Sequence, residues 1–129
     1  MNWRDLQVWK KSHLLTKQIY QITRGFPKEE RYGLTSQIQR AAYSVPLNIV
    51  EGHSRKTARE FLQYLNIARG SLEELRYLLM LGCEIDYISI PDRENLESAA
   101  AEVCIMLDAL IKSLQRGKAN RRKVEISKS

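Results

Sequence analysis

The stretch Gly33–Arg55, GLTSQIQRAAYSVPLNIVEGHSR, decides the fold. Leu34, Ile38, Ala41, Val45, Ile49 and Gly52 recur at three- and four-residue steps, which is one face of a helix. Pro46 lies inside that pattern, where it removes a backbone N–H and crowds the carbonyl of Ala42. The apolar spacing keeps its phase on both sides, so the helix is predicted to bend without breaking. Arg40, Ser44, Asn48 and Glu51 form a polar edge along this arc. Tyr43, Leu47 and Val50 project from the other side. A helix that is apolar nearly all round needs cover on more than one side. The expectation is a helical bundle that also packs against another chain.

Three further helices are predicted around this one. The first spans Arg4 to about Arg24, with Leu6, Trp9, Leu15, Ile19 and Ile22 on its apolar face and Val8 close by. Phe26-Pro27 ends it, because a residue before proline is pushed out of helical space. Trp3 and Trp9 suit bundle packing better than nucleobase stacking. Pro27 and the acids behind it then start helix two. Thr57 and Glu60 make a capping box for helix three. Its seam of Phe61, Leu65, Ala68, Leu72, Leu75, Leu79 and Gly82 alternates steps of four and three, as in left-handed helix packing. Ser89 or Asp92 caps helix four, whose seam is Leu96, Ala99 or Ala100, Val103, Met106, Leu110 and Leu114. Gly117 is placed to stop it after Arg116.

The reading is all-α: an up-down-up-down four-helix bundle of long antiparallel helices over residues 1–117, assembling as a ring or barrel oligomer. Residues 118–129 are expected to be a basic, disordered tail. Tyr43, Leu47 and Val50, with Leu62, Tyr77 and Met80, are the candidate oligomer contacts. No apolar run is long enough to span a membrane, and the start MNWRDLQVWKK does not read as a signal peptide. A cytoplasmic protein is expected.

The net charge is +6, and the segment from Arg116 onward supplies most of it, with six basic residues against Glu125. Such an end fits an anionic partner, and it fits a solvated tail equally well. Arg55, Lys56 and Arg59 cluster at the turn between helices two and three. With Arg116, Lys118, Arg121, Arg122 and Lys123 they are the candidate nucleic-acid-binding residues. No aromatic residue is interleaved with the turn cluster, so single-strand stacking is not supported there.

Catalytic and metal chemistry find little support. His13 and His53 lack a Glu three residues earlier, so no carboxylate-bridged metal site is expected. Cys83 and Cys104 fit two buried reduced thiols, and nothing in their spacing demands a disulfide. No cofactor motif is present, and the chain reads as non-enzymatic. Glu51 is the base a catalytic reading would use. The structural reading of Arg40, Ser44, Pro46, Asn48 and Glu51, with Glu74 reaching from helix three, is stronger. Side chains near Pro46 can satisfy the freed Ala42 carbonyl, and a buried polar pair can fix helix alignment.

RDLQVWKKS at Arg4–Ser12, ERYGLTSQIQRAAYSVPLNIVEGHSR at Glu30–Arg55 and EFLQYLNIARGSLEEL at Glu60–Leu75 carry a family resemblance. The chain resembles the bacterial four-helix bundle proteins first noted as open reading frames in intervening sequences of 23S ribosomal RNA genes. The similarity runs from Arg4 to about Gln115, with Gln39, Tyr43 and Val50 as departures. It implies a homopentameric barrel and kinship with accessory proteins of diversity-generating retroelements, basic pentamers that bind nucleic acid and a reverse transcriptase. Two roles follow as expectations: an oligomeric RNA- or DNA-binding adaptor, or a protein scaffold that recruits a partner enzyme such as a reverse transcriptase.

Overall fold

A computed structural model describes the backbone of residues 2–128 and the side chains of residues 2–117. Four α-helices make the fold, and no strand occurs among the described residues. They are α1 (Gln7–Thr23), α2 (Leu34–His53), α3 (Ala58–Glu84) and α4 (Ile90–Lys128). Each helix packs against two others, in the pairs α1–α2, α2–α3, α3–α4 and α1–α4. The core they enclose includes Leu15, Ile19, Ile38, Val45, Ile49, Leu65, Leu72, Leu79, Val103 and Leu107.

The ends of the helices follow local chemistry, and several differ from expectation. Helix one does not start at Arg4. Trp3–Asp5 is a 3-10 turn whose Arg4 N–H donates to Asn2 Oδ1 at 2.9 Å, and extended Leu6 separates it from α1. Helix two does not start at Pro27 either. Lys28–Glu30 is a second 3-10 turn, and α2 begins only after the non-helical Gly33. Glycine carries the largest helix penalty of any residue but proline, which favours a break there.

Thr57 caps α3 as its sequence pattern implies, its Oγ1 accepting from Glu60 N–H at 3.1 Å. The predicted seam from Leu65 to Gly82 is buried throughout, and Phe61 is half-buried at its start. At the far end Tyr87 N–H donates to Gly82 O (2.8 Å) and Asp86 N–H to Cys83 O (3.0 Å). This is a Schellman arrangement, with Asp86 in the left-handed position (φ 66°) where glycine is usual. Ser89 begins α4 by accepting from Asp92 N–H.

Two expectations for α4 are corrected. Leu107, not Met106, is the fully buried seam residue, because Ala100 and not Ala99 sets the phase. The stop at Gly117 is not taken either: α4 runs on to Lys128. Glycine stops a helix most effectively at positive φ, and no glycine among the described residues adopts one. The side chains of residues 118–129, where the tail was expected, lie outside the described residues.

α3 and α4 are joined by a chain of charges. Arg69 donates to Asp108 (3.0 Å) and Glu73 (2.7 Å), and Arg76 to Glu97 (2.7 Å) and Glu73 (3.1 Å). The Arg69 guanidinium is the main reason the Glu73 carboxyl lies below its ordinary value.

Candidate functional site

The polar edge of α2 divides into three parts. Ser44 and Asn48 form the first, where Asn48 Nδ2 donates to Ser44 O (2.7 Å) and Ser44 Oγ (3.0 Å). Ser44 Oγ in turn meets Ser71 Oγ of α3 at 2.8 Å. Arg40 and Glu74 form the second part. They line a cleft of about 320 Å³ with Gln37, Ser44 and Ser71, and form no ion pair among the described residues. Glu51 is the third. It turns away to Arg55, 3.5 Å from Nη2.

Pro46 is buried and α2 passes through it unbroken. The Ala42 carbonyl finds its donor on a different helix. Thr16 Oγ1 of α1 lies 3.1 Å from Ala42 O and 2.8 Å from Ser12 O, and its single proton is shared between them. Sequence reasoning missed Thr16, since a helical threonine carries no signal of a partner 26 residues away.

The basic turn is more elaborate than its sequence. Arg55 Nη2 donates to Tyr64 Oη at 2.7 Å, with the guanidinium 4.9 Å from the ring centroid. The fold thus brings an aromatic residue to a cluster that has none in sequence. Lys56 and Arg59 are exposed and form no ion pair among the described residues. Arg116 is exposed on α4. The side chains of Lys118, Arg121, Arg122 and Lys123 lie outside the described residues.

A second aromatic group lies at the start of the chain. The Arg4 guanidinium is 4.1 Å from the Trp3 ring centroid, Trp3 meets Trp9 edge-on at 4.8 Å, and His13 stacks on Trp9 at 4.9 Å. Trp9 also packs on the core, as its place on the apolar face implies.

Among the candidate oligomer contacts, Tyr43, Leu47 and Tyr77 are exposed, at 41%, 49% and 56%. Val50, Leu62 and Met80 are half-buried. Ile67, Tyr32 and Ile105 are also exposed and were not singled out from sequence.

Cys83 and Cys104 are free thiols, half-buried instead of buried. Burial pushes the Cys104 thiol up, Arg69 opposes this, and Asp108, 3.7 Å from Sγ, adds to the rise. Among the described residues no three His, Cys, Asp or Glu side chains converge as metal ligands, and no helix is long and apolar enough to cross a membrane.

Comparison with known proteins adds a family. The model of the 23S rRNA-intervening sequence protein family matches residues 4–109. Among solved structures, the chain is similar to a protein of unknown function from the S23 ribosomal protein family of Bacteroides thetaiotaomicron. The identity is 25% and the TM-score 0.76, with 81% of this chain and 98% of that one covered. No curated protein matches. With the family match spanning all of α1, α2 and α3 and half of α4, the chain belongs to the 23S rRNA-intervening sequence protein family.

Proposed function

We propose that this chain is an up-down-up-down four-helix bundle that self-associates into a ring, pentameric by family resemblance, and acts as a non-enzymatic RNA-binding adaptor. The order of cross-helix partners supports the bundle topology: Arg69 meets Asp108 while Arg76 meets Glu97, and Thr16 meets Ala42 while Thr23 meets Gln39. The exposed Tyr43 and Leu47 on the outer side of α2 support self-association. Leu47→Glu is expected to reduce the mass seen by light scattering to that of the monomer. An unchanged mass would remove α2 from the contact.

One observation carries the RNA reading. Lys56 and Arg59 stand exposed with no acid paired to them among the described residues, beside an Arg55 held in place by Tyr64 and Glu51. In the bundle topology proposed, Arg116 comes to the same end. Exposed cations gathered in one place suit a phosphate backbone, and a ring would repeat them.

Filter binding to structured RNA at several salt concentrations tests this. The intact protein is expected to bind with strong salt dependence. Arg55→Ala/Lys56→Ala/Arg59→Ala should weaken binding and flatten the log–log salt slope by about one per cation removed. Binding that ignores salt, or no binding, would reject the reading. Co-purification of one stoichiometric protein after nuclease treatment would favour the scaffold role instead.

A further inference from the structure

The turn between α1 and α2 holds a cleft that the basic cluster at the other end of α2 does not explain. Its volume is about 620 Å³, within the usual range of small-ligand sites. Phe26, Pro27 and Tyr32 give it an apolar lining, with Lys28 and Arg31 beside them. Tyr32 is 87% exposed, more than any other large hydrophobic side chain among the described residues. Its ring lies 5.3 Å from the Arg31 guanidinium.

The two acids of the turn do not line this cleft. Glu30 lies over Gly33, where an added Cβ would meet its carboxylate. Partial burial raises the Tyr87 pKa, and the Glu30 carboxylate, hydrogen-bonded to Tyr87 in the turn between α3 and α4, adds to the rise with a smaller contribution from Glu29. The cleft wall therefore offers two cations, no acid and an aromatic face open to solvent.

We infer that this cleft is a nucleotide subsite, with a nucleobase stacked on Tyr32 and the attached phosphate held by Lys28 and Arg31. The inference rests on the RNA-binding reading and adds a separate place of contact. An apolar partner would cover Tyr32 but leave two cations at its edge without counter-charge. A phosphorylated nucleoside satisfies both, because every base has a face to stack and its phosphate is anionic. α2 has 20 residues, so the subsite lies about 30 Å from Arg55. It marks a second point along a bound single strand.

AMP is the probe, with ribose 5-phosphate and inorganic phosphate as controls, in an amide-resolved NMR titration of the full chain. Saturable shifts are expected at Lys28, Arg31 and Tyr32. AMP should bind about tenfold more tightly than ribose 5-phosphate, the contribution of one stacked base. Tyr32→Ala should abolish that advantage and Tyr32→Phe should keep it. Lys28→Ala/Arg31→Ala should flatten the salt dependence, while Arg55→Ala/Lys56→Ala/Arg59→Ala should leave the shifts at Tyr32 in place. Tyr32 is exposed, so its variants keep the fold, and their amide spectra check this.

Equal affinities for AMP and ribose 5-phosphate, or shifts that leave Lys28, Arg31 and Tyr32 unmoved, would overturn the subsite. So would a Tyr32→Ala variant that changes the mass by light scattering and leaves AMP binding intact, which would make Tyr32 a contact between copies. If structured RNA fails to bind while AMP binds at Tyr32, the adaptor reading falls and the subsite stands. RNA held through Arg55–Arg59 with no AMP response at Tyr32 sinks the subsite alone.

Discussion

Gly52→Val is expected to lower the unfolding free energy by about 3 kcal/mol, as overpacking of a filled site does. A Cβ at this position would lie 2.7 Å from Tyr64 Cβ and 2.8 Å from Phe61 Cδ1. Tyr64 Cβ is fixed to the α3 backbone and cannot swing aside, so the two helices would have to part. The melting temperature should drop by roughly 10 °C. Gly70 provides the contrast, since a Cβ there meets nothing within 4 Å. Gly70→Ala should be neutral or stabilising by up to about 1 kcal/mol, through helix propensity alone. Urea unfolding of both variants decides the matter. A loss under about 1 kcal/mol for Gly52→Val would mean that α2 and α3 are not pressed together at this point.

The second large effect concerns the carbonyl left by Pro46. Thr16→Val keeps the shape of the side chain and removes the hydroxyl, so Ala42 O loses its donor in a buried place. An unsatisfied buried acceptor costs about 1–3 kcal/mol, and about 2 kcal/mol is expected. The cause can be isolated with Pro46→Ala, which restores an N–H at residue 46 for Ala42 O. In that background Thr16→Val should cost less by about 1 kcal/mol or more, as expected for two sites that share a partner. Strictly additive losses in denaturant unfolding would mean that Thr16 acts through packing and not through this bond.

These two sites show what the sequence could and could not convey. The α3 seam was legible because its residues repeat at helical spacing, and Thr57 because its cap is local. Gly52 was visible as a seam position, but Tyr64 and Phe61 as its neighbours were not. Thr16 was invisible because its bond to Ala42 depends on how α1 meets α2. The starts of α1 and α2 were misplaced for local reasons: Leu6 leaves helical space although it continues the apolar period, and the start signal of Pro27 with Glu29 and Glu30 opens only a 3-10 turn that stops before Gly33. That error hid Tyr32, which reads as part of a helix until α2 is seen to begin at Leu34. The polar edge was recognised as unusual, yet Glu51 and Asn48 take different partners, a matter of side-chain direction that spacing does not encode.

The charge chain between α3 and α4 has a further consequence. Leu65, Leu72 and Leu79 on one helix, and Leu96, Val103 and Leu110 on the other, each repeat every seven residues. Apolar contacts alone would tolerate one helix sliding past the other by two turns. Such a slide would set Arg69 opposite Gln115 or Ala101 and Arg76 opposite Cys104 or Ile90, none of which carries a carboxylate. Ion pairs that water still reaches add little to overall stability, but these part-buried ones separate one alignment from its near-equivalents. Their main contribution is to the uniqueness of the folded state.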